Sequence, residues 1–212
     1  MRLVLPRLYV ILDASLSSLE ETACAELLAG CGVHLVQYRN KRAPARELVT
    51  GARRLAEFFR PRGITFLVND RPDVAFLAGA AGVHVGQEDV GVEEARKILG
   101  LEKWVGVSTH NREQFIRAGQ SSADYIAVGP VFPTTTKENP DPVVGMELIR
   151  EARSLTSKPI VAIGGITLER AAEVVAAGAD SVVVVSDIWG APDPQRRIGQ
   201  YQKVLVAGAA AT

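Results

Sequence analysis

Two acidic residues carry the clearest chemical signal in this chain. Asp70 ends the run Ile64-Thr-Phe-Leu-Val-Asn-Asp70, and Asp89 ends the run Gly82-Val-His-Val-Gly-Gln-Glu-Asp89. Each run begins apolar and stops at a polar cluster, as a strand does when it finishes at a site. If the two strands are consecutive and parallel, both carboxylates open onto the face where parallel β/α folds bind ligands. Two carboxylates gathered there repel each other unless a cation joins them. Mg²⁺ commonly takes one or two carboxylates and completes its shell with water and phosphate oxygens. The pattern therefore predicts a Mg²⁺ site on Asp70 and Asp89 for a phosphorylated substrate. Either residue could instead cap the helix that follows it, near Pro72 or near Val92.

Other candidate strands end in polar residues too. In Val36-Gln-Tyr-Arg-Asn-Lys41, alternation puts Gln37, Arg39 and Lys41 on one face and Val36 and Tyr38 on the other. Facing a barrel mouth, the first set offers one amide and two cations to an anion; facing water, it is a solvated strand end. Asn69 and Asp70 are neighbours and diverge in an extended strand, so serving one site requires a bend after Asn69. Arg71-Pro72 favours that bend. Trp104-Val-Gly-Val-Ser-Thr-His-Asn111 closes in four hydrogen-bonding residues, Ser108 emerging first. His110 lies in no Ser-His-Asp or metal-ligand spacing and reads as a loop or cap residue. His34 and His84 lie within apolar runs and read as satisfied core histidines.

The stretch from Gly129 to Gly145 is rich in proline and threonine, and it offers Thr134, Thr136 and Lys137. Loops this long in compact domains are commonly binding loops or lids. Ile163-Gly-Gly-Ile-Thr167 and Val185-Ser-Asp187 end the last two candidate strands, where barrels of this class repeatedly hold phosphate. Gly164 and Gly165 let backbone N–H groups approach an anion closely, and Ser186 adds a hydroxyl. The count is two anion sites on one face, one cation-rich and one neutral, with the Thr-Lys loop between them. Such a layout suits joining two phosphorylated substrates with loss of diphosphate.

These ends need a frame. Eight apolar runs read as strands, at 8–12, 33–38, 64–69, 82–86, 104–108, 125–129, 159–163 and 181–185. Most are continuous rather than alternating, which fits parallel strands covered on both faces. Helical patterns fill the gaps, at 19–29, 45–59, 72–78, 92–99, 112–118, 145–155, 168–177 and 194–206, with Asn111 and Thr167 as N-caps and Pro44 near a first turn. Eight strand–helix units without a linker predict one α/β domain over 1–212, a (β/α)8 TIM barrel, with a frayed end at 207–212. An open doubly wound sheet is the alternative.

Lys plus Arg number 24 and Asp plus Glu number 24, so the formal net charge is zero. That argues against nucleic acid or an anionic membrane as partner. Cys24 and Cys31 form no C-x-x-C pair and read as reduced structural thiols. Pro6, Arg7 and Asp13 interrupt the apolar start, and no apolar run is long enough to span a membrane, so a cytoplasmic location is expected.

Seven of these pieces, taken in order, resemble the thiamine-phosphate synthase family: Val36–Lys41, Val68-Asn-Asp-Arg71, Gly82–Asp89, Gly106-Val-Ser-Thr-His-Asn111, Gly129–Lys137, Ile163-Gly-Gly-Ile166 and Val185-Ser186. The resemblance implies a transferase that joins 4-amino-2-methyl-5-hydroxymethylpyrimidine diphosphate to 4-methyl-5-(2-phosphoethyl)thiazole, giving thiamine phosphate and diphosphate. By carry-over, Gln37, Arg39, Lys41, Asn69, Ser108 and Lys137 would hold the pyrimidine diphosphate, with Tyr38 and Asn40 of the same stretch. Arg39, Lys41, Ser108 and Lys137 would act in the reaction, and Asp70 and Asp89 would bind Mg²⁺. Thr134, Thr135, Thr136, Gly165, Val185 and Ser186 would hold the thiazole phosphate. The implied reaction is dissociative: diphosphate departs, and the thiazole nitrogen captures a pyrimidine-methyl cation. No motif is assigned to Ile11-Leu-Asp-Ala-Ser15. Rival readings are a thiazole tautomerase-type isomerase and a non-catalytic thiamine-pathway binding barrel; neither needs the carboxylates and cations together.

Overall fold

The computed structural model describes residues 4–134, 136 and 141–209, with side chains up to Val206. Strands and helices alternate from the start: β1 (Leu8–Asp13), α1 (Glu21–Gly30), β2 (Leu35–Arg39), α2 (Ala45–Phe59), β3 (Thr65–Asn69), α3 (Pro72–Ala78), β4 (Gly82–Val85) and α4 (Val92–Leu99). The second half continues with β5 (Trp104–Thr109), α5 (Arg112–Gln120), β6 (Tyr125–Val128), α6 (Gly145–Leu155), β7 (Ile160–Ala162), α7 (Leu168–Ala176), β8 (Ser181–Val184), α8 (Ser186–Trp189) and α9 (Pro194–Ala209). Neighbouring strands pair in chain order, all parallel, and β8 returns to β1. The sheet is thus a closed eight-stranded barrel, not the open alternative, and it leaves no edge.

Strand alternation divides the apolar residues into two cores. Val10, Leu12, Val36, Val68, Val83, Val105 and Ile126 point outward and pack under the helices. Tyr9, Ile11, Leu35, Leu67, Tyr125, Ala127, Val161 and Val183 point inward and fill the barrel. With both faces covered, the strands read as the continuous apolar runs seen in the sequence. The helices bury one stripe each: on α2, Leu48, Ala52, Leu55, Ala56 and Phe59 repeat at helical spacing.

The N-terminal end of the barrel is tied by one device used twice. Asp124, just before β6, accepts from the Val105 N–H at 2.7 Å and pairs with Arg96 of α4 at 2.6 Å. Asp180, just before β8, accepts from the Ile160 N–H at 2.8 Å and pairs with Arg153 of α6 at 2.8 Å. Each arginine also donates to backbone carbonyls below its strand, Arg96 to Ser122 and Gly100, and Arg153 to Lys158. This end is therefore held by charge-assisted bonds, which leaves the opposite end to carry chemistry.

Several local expectations changed. Asn111 does cap α5, accepting from the Gln114 N–H at 2.9 Å. Thr167 occupies the N-cap position of α7, but its side chain accepts no capping bond. Ser186 opens a short helix rather than ending a strand. His34 is exposed, just ahead of β2, and is no core residue. The polar residues of its stretch begin one turn of the pleat later, at Gln37. The expected frayed end at 207–212 lies outside the residues whose side chains are described.

One glycine sets the shape of the interior. A Cβ on Gly106 would lie 2.0 Å from the Tyr125 ring, so only glycine lets that ring cross the barrel. His84 stacks on the ring at 5.5 Å between centroids and limits its retreat. Gly106→Ala is therefore expected to destabilise the fold by about 2 kcal/mol, the usual cost of overpacking a rigid core. Urea unfolding measures it, and an unchanged midpoint would show that the ring is free to move.

Candidate active site

The polar strand ends meet at the C-terminal mouth of the barrel. On β2, Gln37 is buried and points inward with Arg39, while Tyr38 points outward. Alternation thus brings Gln37 and Arg39 to the interior. Lys41 follows just beyond the strand, its Nζ 3.1 Å from Asp70 Oδ2. Tyr38 and Asn40, expected with them, lie elsewhere. The Tyr38 hydroxyl donates to Glu21 on the outer face, and Asn40 donates to the Tyr38 oxygen at 3.2 Å and accepts from the Ala43 N–H at 3.1 Å. The physical reason is the pleat itself: odd positions face in, even positions face out.

Asp13, which belongs to no motif assigned above, anchors this wall. Its carboxylate is almost fully buried and receives Arg39 Nη1 on one oxygen. The Ser15 N–H (2.9 Å) and Ser15 hydroxyl (2.6 Å) donate to the other oxygen. Asp13 and Arg39 are register partners across the β1–β2 ladder, so the pair is direct. The available signal was an acidic residue closing an apolar strand, the same signal that marked Asp70.

The bend after Asn69 is present, and Asp70 makes it. Asp70 has φ +64, among the described residues the one non-glycine in the left-handed region. Its N–H donates to the His84 carbonyl at 2.7 Å, and the Arg71 N–H turns back to the Asn69 carbonyl at 2.8 Å. Arg71 is then extended ahead of Pro72, which opens α3. Strain of this kind gathers at functional sites.

Neither aspartate caps its helix. Arg71 and Gly91 hold the N-cap positions of α3 and α4, without side-chain caps. Asp89 instead accepts from the Gly86 N–H at 2.7 Å, which turns its carboxyl back toward Asp70. Burial pushes the Asp89 carboxyl above the usual carboxylate range; the Gly86 N–H opposes this, and the adjoining Asp70 carboxylate reinforces it. Among the described residues no group of three or more His, Cys, Asp or Glu could enclose a metal ion. The protein offers two carboxylates, which fits an ion that fills its shell with water and phosphate oxygens.

Below the mouth, side chains from five strands connect. Gln37 Nε2 donates to the Tyr9 hydroxyl. The Tyr9 and Tyr125 hydroxyls lie 3.2 Å apart, and the Tyr125 hydroxyl lies 2.9 Å from His84 Nδ1. His84 Nε2 lies 2.9 Å from Ser108 Oγ. His84 is thus a satisfied interior histidine, as its apolar run indicated. His110 instead ties loops together, with Nδ1 donating to the Gly129 carbonyl at 2.6 Å and Nε2 3.4 Å from Asp141.

The opposite wall presents hydroxyl groups among the described residues. Thr136 Oγ1 lies 3.4 Å from Ser186 Oγ and 3.3 Å from Thr134 Oγ1, so the loop after β6 reaches the end of β8. Gly165 has φ +64, and a Cβ there would lie 2.4 Å from the Pro133 carbonyl oxygen. Glycine is thus required both for the turn and for the loop lying on it. The Tyr201 hydroxyl of α9 clamps this wall from behind, donating to Asp187 Oδ2 at 2.6 Å and approaching the Ile166 carbonyl at 3.3 Å. Val185 lies at the N-cap of α8, its side chain packed on the inner core. Thr135 and Lys137 lie outside the described residues.

Comparison with known proteins shows the family to which the chain belongs. A family profile described as thiamine monophosphate synthase matches residues 8–188. A thiamine-phosphate synthase of Koribacter versatilis is 50% identical over 210 residues, covering 96% of this chain and 97% of that protein. One from Chloroflexus aurantiacus is 44% identical over 188 residues, covering 88% of this chain and 87% of its own length. The solved structure of a thiamine phosphate pyrophosphorylase from Pyrococcus furiosus superimposes with a TM-score of 0.85 at 35% identity, covering 95% of this chain and 96% of that one.

The Asp70–Asp89 contact has a measurable consequence for the metal-free chain. A carboxyl raised in the folded state contributes fully below its unfolded pKa, and that contribution is lost as pH rises through the folded value. Near neutral pH the ionised Asp89 therefore weakens the fold. Asp89→Asn keeps an acceptor for the Gly86 N–H and removes the repulsion. It is expected to unfold at higher urea than the wild type at pH 7, an advantage that fades below about pH 4, where carboxylates are ordinarily protonated. Equal midpoints at pH 7 would show that the two carboxylates do not interact.

Proposed function

The chain belongs to the thiamine monophosphate synthase family and is a transferase that forms thiamine phosphate, and on that premise we propose how its residues divide the reaction. The pyrimidine diphosphate lies on the charged wall. Arg39 and Lys41 take its phosphate oxygens, Gln37, Asn69 and Ser108 face the pyrimidine ring, and Lys137 is assigned to the same substrate. Asp70 and Asp89 would hold Mg²⁺, which would supply positive charge for a departing diphosphate. The thiazole phosphate lies on the neutral wall, against Thr134, Thr135, Thr136, Gly165, Val185 and Ser186.

The methylene carbon–oxygen bond breaks with both electrons leaving on the diphosphate, and the thiazole nitrogen donates its lone pair to the pyrimidine-methyl cation. No protein nucleophile takes part. The work falls on preorganised charge at the leaving group. Arg39 is the best organised of these groups, because Asp13 fixes its guanidinium before substrate arrives. Both walls facing one mouth is the observation that supports this reading most: Lys41 pairs with Asp70 on one side, and Thr136 reaches Ser186 on the other. A tautomerase-type isomerase or a non-catalytic barrel has no use for the cation-and-carboxylate wall.

Among the described residues no helix is long and apolar enough to cross a membrane. With Cys24 and Cys31 both free, the reading places the reaction in the cytoplasm.

Two measurements test this. Purified protein mixed with both phosphorylated precursors and Mg²⁺ is expected to release diphosphate only when both are present. Release with the pyrimidine alone would indicate a hydrolase, and none at all would remove the assignment. Asp13→Asn is expected to lower kcat/KM for the pyrimidine diphosphate about 100-fold, as for loss of one preorganised donor, while KM for the thiazole phosphate changes little. An equal loss for both substrates would mean that Asp13 serves the fold rather than Arg39.

A further inference from the structure

The middle of the interior hydrogen-bond chain has no part in the chemistry above, yet it occupies the centre of the barrel. Tyr9, Tyr125 and His84 are buried there with Gln37, where apolar side chains would pack more simply. Gly106 gives up its side chain to make room for one of them.

The chain has a direction. Each phenol carries one proton, and burial keeps both protons in place: Tyr9 is pushed up to about 12 and Tyr125 is raised as well. Gln37 Nε2 donates to Tyr9, so the Tyr9 proton goes to Tyr125 and the Tyr125 proton goes to His84 Nδ1. A neutral imidazole that accepts at Nδ1 carries its proton at Nε2, and that proton goes to Ser108 Oγ. The Ser108 hydroxyl proton is then left over and points to the mouth. At the other end, Gln37 Oε1 is, among the described residues, the one buried side-chain oxygen or nitrogen without a partner. Such an atom is costly unless a ligand completes it.

We propose that Tyr9, Tyr125 and His84 are positioning residues that fix the two ends of this relay in opposite senses, Gln37 Oε1 as an acceptor and the Ser108 hydroxyl as a donor. This rests on the reading that Gln37 and Ser108 face the pyrimidine, and it names what they read there. A ring bearing an amino group beside a ring nitrogen offers one donor and one acceptor. The acceptor end takes the amino N–H, and the donor end takes a ring nitrogen. A ring with a keto oxygen in place of the amino group presents an acceptor to an acceptor and is rejected.

The relay is tested first without substrate. In ligand-free wild-type enzyme with ¹⁵N-labelled histidine, the signals of the chain's three histidines are assigned by elimination with His34→Gln and His110→Gln. His84 is expected as the neutral tautomer protonated at Nε2; a proton at Nδ1, or on both nitrogens, overturns the proposal. Tyr125→Phe keeps the ring and cuts the chain. It is expected to raise KM for the pyrimidine diphosphate about tenfold, the net worth of one hydrogen bond, with KM for the thiazole phosphate within about twofold. Combining it with Ser108→Ala is expected to add little, since both act on one contact. Effects that multiply, or a Tyr125→Phe loss shared by both substrates, overturn it. Wild-type protein that forms no diphosphate from the two precursors would sink the functional reading instead, and the tautomer would still judge the relay.

Discussion

Each strand of a closed barrel gives only every second residue to the interior, so the mouth is furnished by eight short inward rows. That constraint decides which polar residues can meet. β1 contributes Tyr9, Ile11 and Asp13, and β2 contributes Leu35, Gln37 and Arg39, their register setting Asp13 against Arg39. β3 ends its row at Asn69, opposite His84 on β4. In these three rows the last inward residue, Asp13, Arg39 or Asn69, is charged or polar. A slip of one residue in β2 would send Gln37 and Arg39 outward and bring Tyr38 in. The Tyr38–Glu21 bond on the outer face opposes that slip, so the register is held from both sides.

Charge at the mouth is balanced unevenly. Arg39 is neutralised by Asp13, and Lys41 is shared with Asp70. Asp89 adds a further carboxylate, and among these five residues the acids outnumber the bases. The metal-free chain thus carries repulsion between Asp70 and Asp89 that a cation would remove. Arg39 remains usable in spite of its salt bridge: one nitrogen is committed to Asp13, and the other donors of the guanidinium fork remain for an anion. Asp13 therefore gives up little of the cation's binding capacity while removing most of its freedom.

Periodicity made the architecture legible. Eight apolar runs with helical patterns between them favoured a closed parallel barrel over an open doubly wound sheet. Alternation then separated Gln37 and Arg39 from Tyr38, although family likeness grouped them. What stayed hidden depends on contacts across strands. Asp13 gave no local sign that its partner lay 26 residues onward. Arg71-Pro72 pointed to a bend, but the positive φ sits on Asp70, where an aspartate tolerates it. Tyr9, Tyr125 and His84 lie within apolar runs and are core residues; only the geometry joins their polar atoms into one chain. Their spacing in sequence, across β1, β6 and β4, carries no periodic signature.

The two walls solve different problems, and their chemistry differs accordingly. A departing diphosphate gains charge during the reaction, so mobile or metal-borne positive charge is useful there, and the wall made by β2 to β4 supplies cations and carboxylates. A phosphate that only anchors a ring keeps its charge throughout. Strong cations beside it would hold product as tightly as substrate without lowering the barrier. In the proposed reading, backbone amides near Gly165 and the hydroxyls of Thr134, Thr136 and Ser186 would give orientation with less hold. That wall must then be rigid, since weak contacts select a pose only if they do not move. Tyr201 behind it, and the loop seated on Gly164 and Gly165, provide the rigidity. The proposed interior relay would do for the ring what these clamps would do for the phosphate: fix donors and acceptors before the ligand arrives.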